Sequence, residues 1–93
     1  MNRDRLKQAI KKLVKKICDE IERQKNDPRM TFIAITRGLI ECQLGPMNKR
    51  DLDASWPIAM RECCLIDDGS GFNTYTLKGH SFYEALAAGK VSG

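Results

Sequence analysis

The sequence predicts one small α+β domain spanning residues 1–93, with three or four helices, then a β-hairpin, then a short closing helix. Apolar residues at Leu6, Ala9, Ile10, Leu13, Val14, Ile17 and Ile21 recur at helical spacing. Two short β-rich runs flank Asp68-Gly69-Ser70-Gly71, as a hairpin requires. A chain of 93 residues with 42% hydrophobic content has material for a single core.

In chain order, the first helix is expected over about residues 2–25, ended by Asn26, Asp27 and Pro28. The stretch MTFIAITRGLIECQLG carries β-branched Thr31, Ile33, Ile35 and Thr36, yet it is longer than a strand and ends at Gly45-Pro46. It is therefore expected to be helical, after a short strand at its start. In MNKRDLDASWPIAMRECCLI, Pro57 fits a helix best within the first turn. The expectation is a helix capped by Ser55, with a short helix over residues 49–54 ahead of it. CCLIDDGSGFNTYTL supplies the hairpin, with Tyr75 and Leu77 facing inward, and Ser81 with Glu84 predicts a capping box for FYEALAAG, which closes at Gly89. No internal repeat, low-complexity stretch or linker divides the chain.

The order helix, helix, helix, hairpin, helix, together with the ending AMRECCLIDDGSGFNTYTLKGHSFYEAL, resembles the winged helix-turn-helix superfamily. In that family a recognition helix runs into a leucine-isoleucine strand, a wing, a Tyr-x-Leu strand and a Lys-Gly turn before the last helix. The Lys78-Gly79-His80 turn followed by Phe82 is similar to small phage and prophage proteins of unknown function. By motif the resemblance covers about a third of the chain, and by element order the remainder. It implies a small winged-helix-like domain that binds duplex DNA through the start of its recognition helix and through basic residues in the wing. One departure is length: Leu44 to Ser55 exceeds the roughly 3–4 residue turn of a helix-turn-helix, which would make the short helix at 49–54 the one packed on the recognition helix.

Charge is the second departure. Residues 1–25 hold nine basic side chains against four acidic ones, while the remainder holds seven against eight, so the net charge of +4 comes from the first helix. Arg3, Lys7, Lys11 and Lys15 succeed one another four residues apart, as do Lys12 and Lys16, and each such like-charge pair costs about 0.2–0.5 kcal/mol. Cations in the N-terminal half also oppose the helix dipole by about 0.3–1 kcal/mol each. Two explanations compete. The lysines form a solvated coat whose repulsion salt screens, or they form a surface for a polyanion. Charge that folding alone would not choose favours the second. The wing, by contrast, has Asp67 and Asp68 at its base and neither Lys nor Arg between Glu62 and Leu77.

Catalysis finds little support. His80 is the lone histidine, the paired acids Asp67-Asp68 and Asp51-x-Asp53 sit where acids usually cap or solvate turns, and Gly69-Ser70-Gly71 does not open a helix as a phosphate loop would. Cys18, Cys42, Cys63 and Cys64 lack zinc spacing and are expected to fill the core of a reduced, cytoplasmic protein, although exposure of the adjacent pair would reopen a redox role. No metal or cofactor is expected. No apolar run reaches the roughly 20 residues of a membrane span.

The expectation is a non-enzymatic nucleic-acid-binding regulator or accessory factor, encoded by a phage or other mobile element. Lys7, Lys11, Lys12, Lys15 and Lys16 would hold phosphate, and Lys49, Arg50 and Arg61 would read sequence. The alternative is an inhibitor or adaptor that binds an acidic or nucleic-acid-mimicking host protein, with Trp56, if exposed, and Phe72 as contacts. The long apolar stripe of the first helix would also serve a homodimer.

Overall fold

The structure, a computed structural model, describes residues 3–90. The first element, α1 (Arg3–Asn26), is a single helix of 24 residues, about 36 Å long, that stops at the predicted Asn26-Asp27-Pro28 breaker. Its buried stripe is Ala9, Leu13, Ile17, Glu20, Ile21 and Gln24. After it come β1 (Ile35–Thr36), α2 (Arg37–Leu44), α3 (Lys49–Glu62), β2 (Ile66–Asp67), β3 (Thr74–Thr76) and α4 (Phe82–Ala87). The result is a small α+β domain with four helices and a three-stranded antiparallel sheet of order β1-β3-β2.

The hairpin therefore gains a third strand. Ile35 lies opposite Tyr75 and Thr36 opposite Thr74, while Ile66 and Asp67 pair with Thr76 and Tyr75. Tyr75 and Leu77 pack against the core as expected, and Thr76, pointing the other way, is buried as well. Its hydroxyl donates to the His80 carbonyl at 3.0 Å, and the same carbonyl accepts the Ile33 N–H at 2.8 Å. Phe32 then meets Phe82 edge to face with centroids 5.2 Å apart, fastening α4 to the segment before β1.

The short strand expected at the start of the second segment is β1, and Thr36 both ends it and caps α2, accepting the Leu39 N–H at 3.1 Å. Only residues 45–48 separate α2 from α3, and Gly45 turns the chain at φ 73°, a conformation glycine adopts without strain.

The expectation of a break near Ser55 is corrected. One helix runs continuously from Lys49 to Glu62, capped by Asn48, whose side chain accepts the Arg50 N–H at 2.8 Å. Ser55 is buried inside it and donates to the Asp51 carbonyl. Pro57 lies mid-helix and forfeits one ladder hydrogen bond on an exposed side, at a cost of about 3 kcal/mol. What offsets this is the stripe Leu52, Ser55, Trp56 and Ala59, which stays in phase against α1 only if the helix is unbroken.

Glu20, at 2% exposure, gives the core an ionised centre. It accepts from Arg23 at 2.9 Å, from Gln24 at 3.2 Å and from Gln43 of α2 at 3.4 Å. The Gln24 amide in turn takes both backbone groups of Ala34, donating to its carbonyl and accepting its N–H, each at 2.9 Å. These hydrogen bonds, those from Arg23 foremost, hold the Glu20 carboxyl below its ordinary pKa despite burial.

Two helices end in the same way. Gly89, at φ 76°, donates to Leu86 and Lys90 to Ala85, while at the end of α3 Cys64, at φ 58°, donates to Arg61 and Leu65 to Met60. Both are Schellman ends, and the second places a side-chain-bearing residue where glycine is preferred.

Two outcomes are expected. Cys64→Gly should raise stability by about 1 kcal/mol, read as a higher urea midpoint with an unchanged m-value. Glu20→Gln should be less stable than the parent at pH 7. The depressed carboxyl contributes stability that is complete above pH 4.5 and lost as pH falls through its folded pKa, so denaturation curves should show the gap closing below pH 4.5.

Candidate nucleic-acid interface

The fold sorts its cations into two groups. Arg5 pairs with Asp51 at 2.7 Å and so ties the start of α1 to the start of α3. Arg23 pairs with Glu20, and Arg29 with Asp27 at 3.2 Å. Arg37 holds Glu41 at 3.0 Å and also Asp53, with its guanidinium 5.9 Å from the centre of the Trp56 ring. Lys15 approaches Asp19 only at 4.0 Å. The ion pairs of the described residues include none of Lys7, Lys11, Lys12, Lys16, Lys49, Arg50 and Arg61. The guanidinium forks of Arg5, Arg23 and Arg37 thus serve the fold, while Arg50, Arg61 and most lysines of α1 stay outside its ion pairs.

The buried stripe of α1 lies between its lysines. At about 100° per residue the lysines span an arc of about 180°, with Lys7, Lys11 and Lys15 toward one flank, Lys12 and Lys16 toward the other, and Lys12 only about 60° from Lys15. On the first flank the three lysines line an open trough of about 440 Å³ with Ile10, Val14, Ile58 and Glu62. On the second, Lys12 lines a smaller hollow with Arg5, Pro46, Met47, Asn48 and Asp51, at the turn into α3. Lys49 faces a third hollow that it shares with Arg37, Glu41 and Asp53. Arg50 and Arg61 are both exposed and eleven residues apart, so they share one face of α3 about 16 Å from each other. The five lysines of α1 therefore do not form a single plane.

Of the two aromatic candidates, Trp56 is removed: it is 4% exposed and packs edge to face on Tyr75 at 6.0 Å. Its indole N–H has no acceptor among the described residues, a debt of about 1–3 kcal/mol carried inside the core. Phe72 is 82% exposed at the hairpin tip. Below it, the Asp67 and Asp68 side chains accept the N–H groups of Gly69 and Ser70 at 3.0 and 2.8 Å and fix the turn.

The sequence placed Ile10 and Val14 on the apolar stripe but not, with Ile58, on the floor of a trough, and it did not single out Glu20 and Gln24, the polar centre of the core. For the first group a signal existed, since the apolar stripe of α1 is wider than one packed face needs. Glu20 and Gln24 look like any other polar helical pair.

The expected burial of the cysteines is also corrected. Cys18 and Cys42 lie on exposed positions of α1 and α2, while Cys64 is exposed and Cys63 half-buried because the adjacent pair caps and leaves α3 instead of entering a strand. The Cys63 thiol is pushed up to about 12 by burial and by its neighbours Cys18 and Cys64, the first of which is hydrogen-bonded to it. Substoichiometric iodoacetamide at pH 8 should therefore label Cys42 and Cys64 well ahead of Cys63, as peptide mapping by mass spectrometry would show.

Among the described residues no group of three or more His, Cys, Asp or Glu could hold a metal ion, and no helix is long and apolar enough to cross a membrane. Comparison of the chain with protein-family models, with curated proteins and with solved structures finds no match.

Proposed function

We propose that the chain is a non-enzymatic nucleic-acid-binding regulator or accessory factor of the winged-helix type, with α3 as its recognition helix. The observation that carries this reading is the set of cations that the fold leaves outside its ion pairs, at both ends of the exposed face of α3 and on the flank of α1 beside its start. Supporting it are the element order and the turn at 45–48, which with its glycine fits the roughly 3–4 residues of a helix-turn-helix. The length mismatch expected from Leu44 to Ser55 disappears because α3 begins at Lys49.

In this reading Arg50 and Arg61 approach the groove on either side of the small Ala54 side chain. Lys12 and Lys49 contact phosphate near the start of α3, Lys16 lies further along α1, and Lys7, Lys11 and Lys15 add longer-range attraction.

A second reading, a protein-binding inhibitor or adaptor, is favoured by two specific observations. The hairpin carries acids and no cation, which repels phosphate, and it presents Phe72 almost fully to solvent.

Duplex binding measured by anisotropy between 50 and 200 mM salt decides between them. A nucleic-acid binder should show log affinity falling with log salt by about 0.9 per phosphate contact, and Lys12→Ala and Lys49→Ala should each reduce that slope by about one contact, while Arg50→Ala should relax sequence preference, none altering the circular dichroism. Absence of saturable duplex binding at 50 mM salt would sink the first reading.

A further inference from the structure

We infer that the trough between α1 and α3 is a docking groove for an amphipathic helix with an acidic flank, supplied by a partner protein. The inference rests on the protein-binding reading above and is independent of duplex binding. Three branched apolar side chains, Ile10, Val14 and Ile58, line the groove and stay only half-buried. Lys7, Lys11 and Lys15 stand along one wall, spaced by four residues and so about 6 Å apart, over a length of about 12 Å. The one acid among the lining residues is Glu62, on the opposite wall.

Charge identifies the occupant. A helix with carboxylates at i, i+4 and i+8 along one flank repeats the spacing of the three lysines, and apolar residues at i, i+3, i+4 and i+7 beside that flank cover Ile10, Val14 and Ile58. Two helices already form the walls, so the arrival of a third is ordinary helix packing. A second copy of this chain fits poorly, because its trough offers a single acid, Glu62, to three lysines, so neither twofold orientation matches the row with carboxylates. Nucleic acid fits poorly too, since its phosphate surface leaves the apolar floor uncovered.

The test uses the full chain and a synthetic 18-residue peptide that carries leucines at i, i+3, i+4 and i+7 and glutamates along one flank. An isomer of identical composition with the leucines scattered is the control. Methyl resonances of Ile10, Val14 and Ile58 report occupancy, and anisotropy gives the affinity. The expected result is saturable binding that shifts these three methyls, with the isomer at least about tenfold weaker. Lys11→Glu combined with Lys15→Glu should weaken binding at least about tenfold, whereas Lys12→Glu on the other flank should change it by no more than about twofold. Ile58→Ala, which leaves every charge in place, should weaken it about threefold or more. Equal affinity for the two peptides, methyl shifts confined to another face, or shifts of the same methyls on raising the protein concentration alone would each overturn the inference. A partner captured by the parent, lost with Phe72→Ser and kept by the Lys11→Glu, Lys15→Glu variant would overturn the groove while retaining the protein-binding reading.

Discussion

Leu13 and Ile17 of α1 are completely buried beside Leu52, Trp56 and Ala59 of α3, and this helix-on-helix contact fixes where the charge of the molecule is displayed. Once the stripe of α1 is committed to the core, helical geometry spreads its lysines over the face turned away from that stripe, from one flank to the other. One flank overlooks the second half of α3 and the other its beginning. The parallel run of the two helices, anchored at one end by Arg5 and Asp51, brings the basic N-terminal half of α1 beside the start of α3. Packing does not call for lysines at these positions, but burial of the stripe outweighs their repulsion of a few tenths of a kcal/mol per pair, so the fold tolerates it.

The same contact explains which parts of the fold were legible in the sequence. The first helix, the Ser81–Glu84 capping box and the glycine that closes α4 are local devices, each complete within a few residues, and the sequence displays them directly. Pro57 misled because its local rule is strong, while the pattern that overrides it, Leu52, Ser55, Trp56 and Ala59, matters only through a partner helix some forty residues away. β1 is two residues long and becomes a strand by meeting Tyr75 and Thr74, so little in its own residues could announce the pairing. The cysteines were misplaced for a related reason. Cys63 and Cys64 form a helix end of the kind that normally carries glycine, and without that glycine nothing in the sequence separates the end of α3 from the strand that follows.

The candidate site divides similarly. That α1 is basic, that the hairpin is acidic and that Phe72 is exposed could all be read from composition and turn chemistry. That Arg5, Arg23 and Arg37 are consumed by the fold while Arg50 and Arg61 are not depends on long-range partners, and so does the burial of Trp56 beneath Arg37. A tally of positive charge therefore overstates what is available to a ligand. The distinction between cations that hold the fold and cations left free of it appears only once their acids are placed.

Gln24 has a role that reaches beyond the core it helps to satisfy. By taking both the N–H and the C=O of Ala34, one residue before β1, its amide behaves as a miniature strand laid against the sheet by a helix. A neighbouring chain that sought to add itself beside β1 would find those backbone groups already engaged. On the opposite margin, β2 is only two residues long and ends in Asp67, a poor template for intermolecular addition. A sheet of three very short strands is thus guarded at one border by a borrowed side chain and at the other by brevity and charge, so neither edge offers a long row of free backbone groups.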